Sequence, residues 1–205
     1  MYVLLDDNGE VAAFPYSIFD LRRDNPDTSF GTEMPATALA DFRVYPVVAV
    51  DRPEGSPIER VVEAAPLMID DEWTQQWTVE PLPIDEAKAT LWNAAKSHRE
   101  QRENGGVTIP GVGTVQSDAI SRGYINGAVL MAQIALTQSQ PYAINWTLAD
   151  NSVVTLDALG MIAVGVAAGQ HVAACHAAAQ AIRASIDAAE DHAALAVIDV
   201  EAGYP

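Results

Sequence analysis

EPLPIDEAKATLWNAAKSHREQRENGG, residues 80–106, divides the chain into two kinds of structure. Pro81 and Pro83 end a strand and prepare a helix start, because proline lacks the amide a strand ladder needs and holds φ at a helical value. From Ile84 to Asn104 come strong helix formers, apolar positions at Ala87, Leu91, Ala94 and Ala95, a charged tail from His98 to Glu103, and the stop Gly105-Gly106. The pattern predicts a helix over 84–104 and a linker at 80–83.

Upstream, the pattern is of short strands broken by turns. Tyr2–Leu5 and Val11–Phe14 flank Asp6-Asp7-Asn8-Gly9, whose Asn-Gly step suits a hairpin because both residues tolerate positive φ. Ser17 to Arg23 reads as a short capped helix stopping before Pro26, and Ala36 to Phe42 as a second short helix opened by Pro35. Val44 to Val50 reads as a strand in which Pro46 favours an edge position. After the proline- and glycine-bearing loop 52–57, Val61-Val62, Leu67-Met68-Ile69 and Trp73 to Val79 read as a meander of strands. Residues 1–80 are thus expected to form a small β-rich domain.

Downstream, two strand-pair-then-helix modules follow the first helix. Val107-Thr108-Ile109 and Gly113-Thr114-Val115 flank Pro110-Gly111, and Ser117 or Asp118 caps a helix running to about Gln138. Ala143 to Leu148 and Val153-Val154-Thr155 form the second pair, after which Thr155 or Asp157 opens a helix to about Ala188, and a short helix covers Asp191 to Ile198. The expected fold class is α+β: a small β-rich N-terminal domain, then a mainly helical domain over 84–205 with two short hairpins.

The 205 residues carry 28 acidic and 11 basic side chains, a net charge of −17. Such a balance opposes a footprint on nucleic acid or an anionic membrane. Residues 1–83 hold 16 acids against 5 bases, so the excess sits mostly in the β-rich part. Between Asp118 and Ile182 the only charged residues are Asp118, Arg122, Asp150 and Asp157. Helices this poor in charge are expected to be buried against one another or between subunits. One cysteine, Cys175, permits no internal disulfide, and the start Met-Tyr-Val-Leu-Leu-Asp-Asp lacks a basic and then apolar leader, so the reading is a soluble product made in a reducing cytoplasm.

No residue set points to catalysis, a cofactor or a metal. His171, Cys175 and His176 are the only grouped metal-type ligands; His171 and Cys175 share a helical face, but zinc takes three or four ligands and none completes the set. Asp150 and Asp157 are the best carboxylates for a hydrolase reading. Gly165-Val-Ala-Ala-Gly169 matches GxxxG, yet its apolar run breaks at Gln170-His171, so close helix–helix packing is expected rather than membrane insertion. With Ala173 these glycines form a thin surface suited either to an intrachain bundle or to a homo-oligomer seam. Trp73 and Trp77, four apart and so on one strand face, are core anchors or a docking patch. The candidate interface residues are therefore Trp73, Trp77, Gly165, Gly169 and Ala173.

Several segments together carry a family resemblance. They are Arg99-Glu-Gln-Arg102-Glu-Asn-Gly-Gly106, Val115-Gln-Ser117-Asp118-Ala-Ile-Ser121-Arg122, Asn145-Trp146-Thr-Leu-Ala-Asp150-Asn151-Ser-Val-Val-Thr155-Leu, Met161-Ile-Ala-Val-Gly165, Gly169-Gln-His171-Val-Ala-Ala and Ala196-Val-Ile-Asp199. Over about Ile84–Asp199 the chain resembles a domain of unknown function found in tailed-bacteriophage proteins associated with tail fibres. Asp7-Asn-Gly-Glu-Val, Pro15-Tyr-Ser and Trp73-Thr-Gln-Gln-Trp77 resemble the leading domain of small phage tail proteins. The layout is also similar to tail-fibre assembly proteins, although Val200 stands where those endings often have tryptophan. The resemblance implies a non-enzymatic structural or adaptor role near the fibres or tail tip, with an assembly chaperone as the alternative. It implies other tail proteins as partners, a homo-oligomer or hetero-assembly, and residence in the virion after synthesis in the host cytoplasm.

Overall fold

Turn and cap chemistry fixes most element boundaries in the computed structural model, which describes residues 1–205. The chain forms two units, Met1–Leu82 and Pro83–Pro205, dividing inside the proline-rich segment 80–83. The architecture is α+β, β-rich in the first unit and mainly helical in the second.

In the first unit, β1 (Tyr2–Leu5) and β2 (Val11–Tyr16) form the hairpin, with β2 continuing through Pro15. Asp6 organises the turn by accepting from the Asn8 and Glu10 amides at 2.9 and 2.8 Å. Only Gly9 of the Asn-Gly step takes positive φ, at 83°. Helix α1 (Ile18–Asp24) is held by a capping box: Ser17 Oγ accepts from the Asp20 amide, and the Asp20 carboxylate accepts from the Ser17 amide. Helix α2 (Ala36–Ala40) precedes β3 (Val44–Val48), and β4 (Glu59–Ile69) and β5 (Glu72–Pro81) form a long hairpin. The strand order is β2-β1-β3-β5-β4, with β3 antiparallel to β1 and parallel to β5.

Two expectations are corrected here. Pro46 does not sit on an edge, since β3 lies mid-sheet. Val47 donates to Met1 O, so the neighbouring Pro46 faces β5, whose pairing covers only Val47 and Val48 and asks no amide of it. The meander is also simpler than expected. Val61-Val62 and Leu67–Ile69 belong to one strand, β4, because the register shift between Ala64 and Leu67 absorbs Pro66 without ending the ladder. Asp70 and Asp71, at φ 50° and 64°, close the hairpin as a two-residue turn with positive φ at both positions. A core cluster of Tyr16, Leu21, Leu39 and Val44 packs α1 and α2 onto this sheet.

In the second unit, α3 (Ile84–Asn104) ends at Gly105-Gly106, the latter at φ 93°, and leads into the hairpin β6 (Val107–Ile109) and β7 (Gly113–Val115). Helix α4 (Ala119–Thr137) is capped by Asp118, which accepts from the Ile120 and Ser121 amides at 3.0 Å each. The second hairpin, β8 (Ala143–Thr147) and β9 (Val153–Asp157), runs into α5 (Ala158–Ala188), where Asp157, not Thr155, is the cap. Asp191 caps α6 (His192–Ala196). Both α3 and α4 pack on α5. The main core joins the two hairpins to α4 and α5 through Ile109, Val115, Ile125, Leu148, Leu156 and Met161.

Candidate interaction surface

Ser117 fixes where α4 begins. Its fully buried hydroxyl donates to Glu103 O at 2.6 Å and accepts from the Gly106 amide at 2.9 Å, joining the end of α3 to the start of α4. Arg122, the one charged residue inside α4, is turned to the same junction and donates to Ser117 O at 2.6 Å. From this anchor, α4 directs Ile125, Ala128, Val129 and Ala132 into the core.

The opposite side of α4 is left largely exposed by the chain. Ile120 and Tyr124 are each 69% exposed, Leu130 and Met131 57%, and Ile134 40%. Ile120, Tyr124, Gly127, Met131 and Ile134 follow alternating steps of four and three residues, the spacing of a helix–helix seam. Of the two expectations for the charge-poor stretch, burial of helices against one another accounts for one side of α4, and the other side is left exposed by the chain itself. Monomeric surfaces seldom leave contiguous large apolar side chains in water, which makes this face the candidate contact surface.

A groove continues this face. A hollow of about 300 Å³ lies beside the start of α4, lined by Gln116, Ser121, Tyr124, Asn145, Trp146 and Thr147. An adjoining one of about 500 Å³ is lined by Gly123, Gly127, Met131, Tyr142 and Ile144. Many of its polar groups are already engaged inside the fold. Tyr142 donates to Ala128 O at 3.1 Å, Thr155 donates to Asn145 Oδ1 at 2.8 Å, and Ser121 donates to Asp118 Oδ2 at 2.6 Å. That last bond is the chief reason the Asp118 carboxyl is held below the ordinary carboxylate range. What the groove offers a partner is mostly aromatic and aliphatic surface, a chemistry of contact.

The structure separates the candidate interface residues. Gly165 lies at the crossing of α5 and α4, where an added Cβ would come within 2.6 Å of Val129 Cγ2. Gly169 has nothing within 4 Å of that position, and Ala173 is exposed. One GxxxG stretch thus serves an intrachain crossing at one end and open surface at the other. On β5, Trp73 and Trp77 are half-buried. Trp77 donates to Val50 O at 2.9 Å and lies under the Arg52 guanidinium, while Trp73 is paired across the hairpin with Met68. Met68 is exposed beside it, and Leu67 and Ile69 are exposed on the other face of β4, so apolar side chains surround the strand end before the β4–β5 turn.

His171 and His176 fasten α5 to the end of α3, and Cys175 is buried between them. His171 Nε2 is 2.8 Å from Arg102 O, and His176 Nε2 is 3.2 Å from Glu103 Oε1. Burial pushes the Cys175 thiol up, the opposite of nucleophile activation. No three His, Cys, Asp or Glu residues are grouped so as to hold a metal ion. Asp150 accepts from the Ser152 amide and hydroxyl, and Asp157 from the Gly160 amide, so both are used in turn and cap geometry. By length and composition alone, α5 would reach across a bilayer; its face bearing Met161, Val164, Ala168, Cys175, Ile182 and Ile186 is spent on internal packing.

Sequence patterning missed α4's seam because it shows that a helix is apolar on several sides without showing which sides find neighbours. The signal was present in the four-and-three spacing of Ile120, Tyr124, Gly127, Met131 and Ile134.

A family model described as "Domain of unknown function (DUF4376)" matches residues 86–202, more than half of the chain and nearly all of the second unit. No curated protein and no solved structure matches.

Proposed function

We propose that this chain, which belongs to the DUF4376 family through residues 86–202, is a structural or adaptor component of a bacteriophage tail near the fibres or tail tip, working through protein contacts. The phage context comes from the resemblance of the segments around Arg99–Gly106, Val115–Arg122 and Asn145–Leu156. One observation carries the contact role: α4 presents a continuous uncharged apolar face in a chain of net charge −17. In this reading the helical unit supplies assembly contacts and the β-rich unit attaches to a neighbour, with the exposed Leu67–Ile69 end of β4 as its apolar foothold.

Quantitative mass spectrometry of purified particles from a phage encoding this chain tests the proposal. Presence at a fixed ratio to other tail proteins is the expected result. Absence from particles, combined with insoluble fibre protein when this chain is deleted, would replace it with the assembly-chaperone reading. Absence with unchanged fibre yield would refute both.

A further inference from the structure

We infer that the exposed face of α4 is covered by α4 of a second copy of this chain, running antiparallel about Gly127. This deepens the assembly reading above and rests on it for its biological setting. Three observations select the occupant.

The first is shape. In an antiparallel pair centred on Gly127, Ile120 faces Ile134 of the other copy, Tyr124 faces Leu130, and Gly123 faces Met131. Each large side chain meets an apolar partner or a glycine, and the two central glycines let the backbones approach. An added Cβ at Gly123 or Gly127 would meet nothing within 4 Å, so space for the opposing side chains exists in the chain as folded. The four-and-three spacing matches a helix with the same spacing, and α4 itself is one.

The second is charge. Two chains of −17 repel wherever their acidic surfaces meet. Between Ala119 and Gln140 the only charged residue is Arg122, and its guanidinium is held by Ser117 O. An α4–α4 contact brings no like charges together, and the antiparallel direction sets each Asp118 beyond the far end of the seam while opposing the helix dipoles.

The third is area. Large side chains present about 150–250 Å² each, so the exposed fractions of five residues, Ile120, Tyr124, Leu130, Met131 and Ile134, amount to on the order of 600 Å². That is most of the roughly 800 Å² per partner of a stable interface, before the flanking groove contributes.

The test uses the full chain with cysteines introduced by Ile120→Cys, Ile134→Cys and both together, treated with a short bis-maleimide and resolved on a denaturing gel. Cys175 is buried and common to all three. The double variant is expected to give a covalent dimer efficiently, and each single variant to give little. Efficient dimers from each single variant would indicate a parallel pair and overturn the arrangement. Little covalent dimer from any variant would overturn the contact itself. Sedimentation supplies the second arm: Met131→Glu, with its helical signal unchanged, is expected to convert a wild-type dimer to monomer. A monomeric wild type, or a dimer indifferent to Met131→Glu, would refute the inference. A monomeric chain still found in particles at a fixed ratio would refute the inference alone and leave the tail reading standing.

Discussion

Replacing Gly165 and Gly169 by alanine, one at a time, separates packing from propensity within a single helix. Both substitutions sit in the interior of α5, and each removes a glycine's conformational freedom, a gain of up to about 1 kcal/mol. At Gly169 the new methyl meets nothing within 4 Å, so the gain stands alone. At Gly165 the methyl would lie 2.6 Å from Val129 Cγ2, 3.7 Å from Val129 Cβ and 3.8 Å from Ile125 Cγ2. Valine in a helix has essentially one rotamer, so relief must come from moving α4 against α5, and overpacking of this kind costs about 1–3 kcal/mol. The propensity gain is common to both variants and cancels in their difference. Gly165→Ala should therefore be less stable than Gly169→Ala by about 1–3 kcal/mol, a gap of several degrees in melting temperature. Thermal and urea unfolding followed by the helical signal measures it. Equal stability, or a more stable Gly165→Ala, would mean that α4 and α5 do not cross at this point.

Three further outcomes follow from the geometry. Ser117→Ala should cost about 1–3 kcal/mol in urea unfolding, because it leaves Glu103 O and the Gly106 amide without their buried partner. Asp118 is held below its unfolded value by the Ser121 hydroxyl and the amides of α4's first turn, so its stabilisation is complete above the ordinary carboxylate range and is lost as pH falls through the lowered folded value. Asp118→Asn should accordingly be less stable than wild type at neutral pH, with the gap closing under acid; a gap constant with pH would contradict this. Replacing Asp70-Asp71 with Asn-Gly, which suits positive φ at both turn positions, should raise the stability of the first unit in thermal unfolding, because glycine at 71 relieves a left-handed strain of about 1–2 kcal/mol against an entropic cost of about 0.5–1 kcal/mol.

Local chemistry made much of the fold legible. Proline and glycine bracket α3 at Pro83 and Gly105-Gly106, and the caps Ser17, Asp118 and Asp191 announce three helices, because a side-chain oxygen before an apolar run satisfies amides wherever the helix later packs. Pro46 misled because an edge preference is inferred from one missing amide, whereas the sheet needs that amide only where β5 pairs. Val61-Val62 and Leu67–Ile69 read as separate strands because the pattern between them does not show that a register shift keeps β4 whole. The contact face was harder to see. Ile125 and Met131 are both apolar residues of α4, but one is buried in the core with α5 and the other is more than half exposed, a difference set by where β8 and α5 fall rather than by the residues themselves. Gly165 and Gly169 differ for the same reason.

The solution mass of the full chain tests most directly the claim that α4's uncharged face is covered by a second copy of this chain. Sedimentation equilibrium over a wide concentration range, at a salt level that screens the acidic surface, should give twice the 21.9 kDa chain mass for wild type. A single species at 21.9 kDa throughout would contradict the account.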